Sequence, residues 1–163
     1  MPFGGDASEV RRIESGLIVP DYDYHAHERS PFDFSFDKLV AFAGANFNGE
    51  AALRQIAPNP PRRFKTLLLE TEELPEYGAP VTSEGEAAGT LTSPTKSPRF
   101  GRIGLAILES RFARDGQKLE VAFGDGTVPA KLVVLPVYDP QRRRHRSCPG
   151  VVMRKLQASA GRR

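Results

Sequence analysis

The sequence predicts a mainly β protein: a C-terminal antiparallel β-barrel preceded by a small α+β segment. Three observations carry the prediction. Six short runs rich in apolar and β-branched residues crowd into residues 63–137. Ser-Glu-Gly-Glu at 83–86, Arg-Asp-Gly at 114–116 and Gly-Asp-Gly at 124–126 punctuate them as hairpin turns, because such residues tolerate positive φ. Pro58-Asn59-Pro60-Pro61 separates this region from a differently textured one, as a stiff connector rather than an element.

Taken in order, Ser8–Leu17 predicts a short helix. Ser8 is placed to cap it, Val10, Ile13 and Leu17 share a face, and Gly16 ends it. About two turns cannot persist alone, so this helix is expected to pack on neighbours lying upstream or on another chain. Residues 20–48 are loop-rich, but Phe32, Phe34 and Phe36 alternate with Asp33 and Ser35 at the period of a half-buried strand. Ala51–Ile56 predicts a second short helix stopped by Pro58. The strands are expected at Arg63–Glu70, Ala79–Thr82, Ala87–Thr92, Arg102–Glu109, Lys118–Phe123 and Thr127–Val137. Six such strands joined by hairpins imply a closed or nearly closed barrel.

Composition narrows the function classes. Apolar residues are 39% of 163, and no apolar run nears the roughly 18 residues of a membrane span. The start carries no secretory signal, so a soluble, cytoplasmic protein without membrane association is expected. Cys148 is the only cysteine, which excludes an internal disulfide and a multi-cysteine metal site. Of the 23 Lys/Arg, eight fall in residues 141–163 with no acid, leaving 15 against all 20 Asp/Glu in residues 1–140. The basic character therefore belongs to a tail expected to be disordered. Its Arg142-Arg143-Arg144-His145-Arg146 could meet phosphates, but no stacking aromatics accompany it, and nucleic acid is not an expected partner.

Other chemistry is sparse. His25-Ala26-His27 could offer two imidazoles to a metal, yet no third ligand stands at a usual spacing, and a solvated loop is the expected reading. Cys148 lacks an oriented base, so it reads as an inert surface thiol. No Ser-His-Asp elbow, phosphate-binding glycine loop or carboxylate pair is visible. No residue is expected to be catalytic.

Four segments, in order, nevertheless resemble one family. Arg12-Ile13-Glu14-Ser15-Gly16-Leu17 is similar to an Arg-Leu-Glu-Ala-Gly-Leu helix end. Ser30-Pro31-Phe32, with Phe47-Asn48-Gly49-Glu50-Ala51-Ala52-Leu53, resembles a Thr/Ser-Pro and Phe-Ile-Gly-Lys-Glu-Ala-Leu stretch. Gly89-Thr90-Leu91-Thr92-Ser93-Pro94-Thr95-Lys96-Ser97-Pro98 and Ile103-Gly104-Leu105-Ala106 resemble Gly-x-Val-Thr-Ser-Gly-x-x-Ser-Pro followed by Ile-Ala-Leu-Ala. Val128-Pro129-Ala130, then Val133 through Pro140, resembles a closing strand with its Pro-Phe-Tyr/Phe ending. Together they are similar to the folate-dependent aminomethyltransferases, the glycine cleavage T-protein and its relatives, over roughly residues 9–140.

The resemblance implies a division into residues 1–60, a remnant of the folate-binding region; 61–140, the C-terminal antiparallel barrel; and the basic tail 141–163. It implies tetrahydrofolate as cofactor, with Arg12 and Glu14 as cofactor-binding residues and Arg12 suited to the folate carboxylates. Full members are more than twice this long, and the part bearing the pterin pocket and catalytic aspartate has no counterpart here. Pro94 replaces a family glycine, and Val19-Pro20-Asp21-Tyr22 replaces an aromatic-Gly turn, which is nearer the folate-dependent demethylase and dimethylglycine-linked relatives. The Lys-Gly-Cys-Tyr signature of the iron–sulfur-repair branch is missing. The implied function is the C-terminal portion of a tetrahydrofolate-dependent one-carbon transferase needing a missing N-terminal half or a companion subunit with the folate pocket. The alternative is a non-catalytic barrel module for protein interaction, with self-association covering the apolar faces of residues 9–17 and 32–36.

Overall fold

The computed structural model describes residues 4–44, 46–114, 116–141 and 143. Helix α1 (Gly5–Glu14) and helix α2 (Glu50–Ile56) precede six strands: β1 (Arg62–Leu69), β2 (Pro80–Ser83), β3 (Glu86–Ser97), β4 (Gly101–Glu109), β5 (Leu119–Phe123) and β6 (Gly126–Val133). The strands close an antiparallel barrel in the order β1-β4-β3-β2-β5-β6, with β6 returning to β1. Among the described residues no helix is long and apolar enough to cross a membrane. The expected basic tail and Cys148 lie outside the described residues, apart from positions 141 and 143.

The turns do what their residues dictate. Glu84 (φ 52°) and Gly85 (φ 82°) form the two-residue β2–β3 hairpin, closed by the Ser83–Glu86 pair. Gly-Asp-Gly at 124–126 joins β5 to β6. Contrary to expectation, the strands on either side of Arg-Asp-Gly at 114–116, whose Asp115 lies outside the described residues, do not pair as a hairpin. The neighbours of β4 are β1 and β3, and those of β5 are β2 and β6. The β2-β3-β4 meander places β1 beside β4, a Greek-key order that a chain of simple hairpins cannot produce.

Two apolar layers result. Leu67, Leu69, Val81, Leu91, Leu108 and Val121 fill the barrel interior among others. Ile13, Phe34, Phe64, Ile103, Leu105 and Ile107 form a second layer between the barrel wall and the N-terminal segment. β4 serves both layers, Ala106 and Leu108 facing inward and Ile103, Leu105 and Ile107 outward. This is why its sequence is continuously apolar rather than alternating.

Three sequence expectations about local structure are corrected. Ser8 lies inside α1, whose N-cap is Gly4, because Gly5-Asp6-Ala7 supplies an earlier turn with Asp6 near the positive end of the helix dipole. The Phe32/Phe34/Phe36 alternation is a 3-10 turn over Pro31–Phe34, not a strand. Pro31 presets its φ, and the Asp33 carboxylate accepts the Ser30 N–H at 2.9 Å. Phe32 and Phe34 are buried while Phe36 is half-exposed. β6 stops at Val133 instead of continuing to Val137, because the chain leaves β1 for the helix. Tyr138 N–H donates to the Glu14 carbonyl at 2.9 Å, and Leu135 and Val137 join the second layer.

Candidate functional site

α1 ends in a Schellman motif, with Gly16 at φ 69° and N–H bonds from Gly16 to Ile13 O (3.1 Å) and from Leu17 to Arg12 O (2.9 Å). Its last turn presents Arg12, Ile13 and Glu14 to the barrel, all three buried. Ile13 enters the outer apolar layer. The two charged neighbours reach β3 at separate points.

β3 is shaped to receive them. Its register on β4 shifts between Leu91 and Ser93, so Leu91, Thr92 and Ser93 are all buried. Bulges re-aim side chains in this way. Beyond it, Ser93 and Ser97 stand four residues apart, on one face of an extended strand. Ser93 Oγ accepts Arg12 Nη2–H at 2.8 Å, and Ser97 Oγ donates to Glu14 Oε1 at 2.6 Å. Ser97 Oγ also accepts the N–H groups of Arg99 and Phe100, both at 3.0 Å, tying the β3–β4 turn to the helix. Pro94 sits beyond the β2 pairing, where β3 has only β4 beside it, a place a sheet tolerates proline.

Arg12 is the hub. Nη1 donates to Asp23 Oδ2 at 2.9 Å and to Leu17 O at 3.3 Å, while Nε donates to Glu9 Oε2 at 2.8 Å. Nη2 donates to Ser93 and to the second Glu9 oxygen, so all five guanidinium donors are engaged. Asp23 is equally complete. Its Oδ2 also accepts Val19 N–H at 2.9 Å, and its Oδ1 accepts the hydroxyls of Thr92 and Ser93 at 2.6 and 2.7 Å. Burial alone would lower the Arg12 pKa, but the carboxylates of Glu9 and Asp23 outweigh it and hold it above its ordinary value. The partners differ in one respect: the Asp23 side chain is fully buried, whereas that of Glu9 is 48% exposed.

Arg12 and Glu14, paired by sequence reasoning as cofactor-binding residues, thus turn to different partners. Glu14 lines a surface cleft of about 400 Å³ with Arg11, Pro98, Arg99 and Tyr138. Sequence reasoning did not single out Asp23, Thr92 and Ser93. Asp23 belongs to the histidine loop that reads as solvated, and the signal available was the contiguous Thr92-Ser93 pair that follows Leu91 in β3. His25 and His27 stack at the surface with ring centroids 6.3 Å apart, and His25 Nδ1 lies 3.5 Å from Asp21 Oδ1.

Residues 62–139, which span the whole barrel, match the glycine cleavage T-protein C-terminal barrel domain. They are such a domain. The T-protein likeness extends beyond the barrel: 87% of the chain aligns at 31% identity with the aminomethyltransferase of Streptomyces avermitilis. A probable aminomethyltransferase of Halobacterium salinarum is 32% identical over 85% of the chain. The chain covers 40% and 39% of those two proteins, so it spans about two fifths of the length of the curated relatives it matches. A crystal structure of the glycine cleavage system aminomethyltransferase T from Bartonella henselae shares the fold. Its TM-score is 0.73 at 21% identity, covering 80% of this chain and 38% of that one. The stretch that holds Arg12 and Asp23 lies upstream of the T-protein barrel, clamped onto β3 by the contacts above.

Proposed function

We propose that this chain is the C-terminal portion of a tetrahydrofolate-dependent one-carbon transferase, acting in the cytoplasm, with the folate pocket carried by an N-terminal half or by a companion chain. The observation that carries the reading is that similarity to aminomethyltransferases runs through 85–87% of the chain, barrel and preceding segment together. That segment brings a buried hub of charge, Arg12 with Asp23, against β3.

The residues present suit one end of the cofactor. A guanidinium fork binds carboxylates in bidentate fashion, and Glu9 already does this to Arg12. Asp23, Ser93 and the Leu17 carbonyl hold the other side of the guanidinium, and Glu9 is the partner that solvent reaches. A folate carboxylate would take Arg12 by replacing Glu9. Tetrahydrofolate supplies the nitrogen that accepts the one-carbon unit. What the described residues supply is a cation held in place, and the rest of the folate pocket would come from the N-terminal half or the companion.

Calorimetry with tetrahydrofolate tests the reading, on the chain alone and mixed with the N-terminal region of a similar aminomethyltransferase. Saturable binding that strengthens in the mixture and weakens in an Arg12→Lys variant is expected. A well-folded protein that gives no heat in either setting would remove folate from the account. The second reading, a non-catalytic interaction barrel, is favoured by the exposure of Leu17, Leu39 and Val134. Under that reading a partner or a second copy covers these side chains, and sedimentation would show a mass above the monomer.

A further inference from the structure

A cleft of about 350 Å³ is lined by Asp23 but not by Arg12, and the reading above does not use it. It is walled by the 22–29 loop, by Arg62 at the start of β1 and by the facing ends of β3 and β4, with Tyr22 and Tyr77 on its lining. Gly89 and Ile107 contribute to the wall at a point where the strands approach too closely for a side chain. A Cβ at Gly89 would lie 2.1 Å from the Ile107 carbonyl.

Three carboxylates and two guanidiniums line this cleft. Each carboxylate lies within ion-pair distance of an arginine: Asp23 is 2.9 Å from Arg12, which Glu9 also holds, Glu109 is 2.8 Å from Arg111, which Glu86 also holds, and Glu28 is 3.8 Å from Arg29. Arg62, by contrast, makes no ion pair among the described residues, although it lines the cleft. Arg29 is only partly used: Nη1 donates to the Glu28 carbonyl at 3.1 Å, while its buried Nε–H has no acceptor among the described residues. A buried donor without an acceptor costs free energy that a ligand or a rearrangement can recover. The third cationic candidate, His25, is exposed and stands 3.5 Å from Asp21.

The aromatic residues add a second requirement. Tyr22 and Tyr77 meet edge to face at 6.3 Å, and both keep more than half of their surface exposed at 59% and 55%. Tyrosines so placed offer ring surface to a planar group. We propose that this cleft binds a small planar carboxylate, its anionic end taken by Arg62 and Arg29 and its ring set against Tyr22 and Tyr77. The site does not rest on the folate reading, and Arg12 does not line it.

The test is a titration of the full chain, followed by amide and tyrosine-ring NMR shifts, with benzoate, acetate and inorganic phosphate as probes. Saturable benzoate shifts centred on Tyr22, Arg62 and Tyr77 are expected. Affinity should fall at least about fivefold in Arg62→Gln, an exposed position whose change leaves the fold intact, and similarly in Tyr22→Ala. Acetate should bind more weakly than benzoate. Benzoate shifts that do not saturate, or that survive Arg62→Gln unchanged, would overturn the site. Phosphate or acetate binding as tightly as benzoate would overturn the planar-carboxylate assignment. Loss of tetrahydrofolate binding in Arg12→Lys with benzoate binding retained separates this site from the Arg12 hub.

Discussion

Arg12 and Asp23, eleven residues apart and joined at 2.9 Å, form a buried ion pair in which both partners have every hydrogen-bonding position filled. The pair closes the 17–23 loop onto α1 and, through the hydroxyls of Thr92 and Ser93, fastens both to the bulge in β3. With Glu14 on Ser97 at the other end, the helix is clamped at two points around the buried Ile13.

Removing one half of that pair should be costly, because the other stays behind as an uncompensated charge. Asp23→Ala is expected to lower the unfolding free energy by about 3 kcal/mol in urea denaturation. Glu9→Ala removes a carboxylate that is 48% exposed and should cost no more than about 1 kcal/mol. Equal losses for the two variants would contradict the arrangement.

Gly89 is required by contact rather than by its turn geometry. A Cβ there would stand 2.1 Å from Ile107 O and 2.8 Å from Leu108 Cα, both backbone atoms that cannot move alone. Gly89→Ala is expected to destabilise the barrel by about 2 kcal/mol or more, measured as a lowered denaturation midpoint. A variant as stable as the parent would mean that β3 and β4 are farther apart than they stand here.

At the β2–β3 hairpin, Glu84 holds φ 52° without being glycine or asparagine. Glu84→Asn supplies the residue that a type I′ turn prefers before Gly85 and should stabilise the chain by about 0.5–1 kcal/mol. A lower melting temperature in the variant would argue against this turn.

Thr66 is fully buried in β1, and its hydroxyl has no hydrogen-bond partner among the described residues. Thr66→Val keeps the shape and removes the unpaired hydroxyl, so a gain of about 1 kcal/mol is expected. If the variant is less stable, the hydroxyl has an acceptor in solution.

Much of this molecule is legible along the chain, for reasons that are local. Apolar and β-branched runs and the Ser-Glu-Gly-Glu and Gly-Asp-Gly turns place the starts of the β strands within a residue or so, and Gly16 marks the end of α1, because each depends on backbone preferences of adjacent residues. The ends are less legible, β3 running on to Ser97 past the expected Thr92. The family motifs are readable for the same reason: Arg-Ile-Glu and Thr-Ser are contiguous. Where local signals conflict, the linear reading goes astray. Phe32, Phe34 and Phe36 carry a strand's period, but Pro31 and the Asp33 carboxylate impose a 3-10 turn, since one fixed φ and one side-chain hydrogen bond outweigh a three-residue pattern.

Pairing over distance was decided in three dimensions. Nothing near Arg-Asp-Gly at 114–116 indicates that β4 and β5 part company there, because strand order depends on closing the barrel around a shared interior. Nor does any feature beside Asp23 mark it as the buried partner of Arg12. It stands among exposed acids and histidines, and only the bulge in β3, 69 and 70 residues away, turns two hydroxyls toward it. A carboxylate becomes a structural centre when distant donors surround it and water is excluded, and both conditions belong to the folded chain.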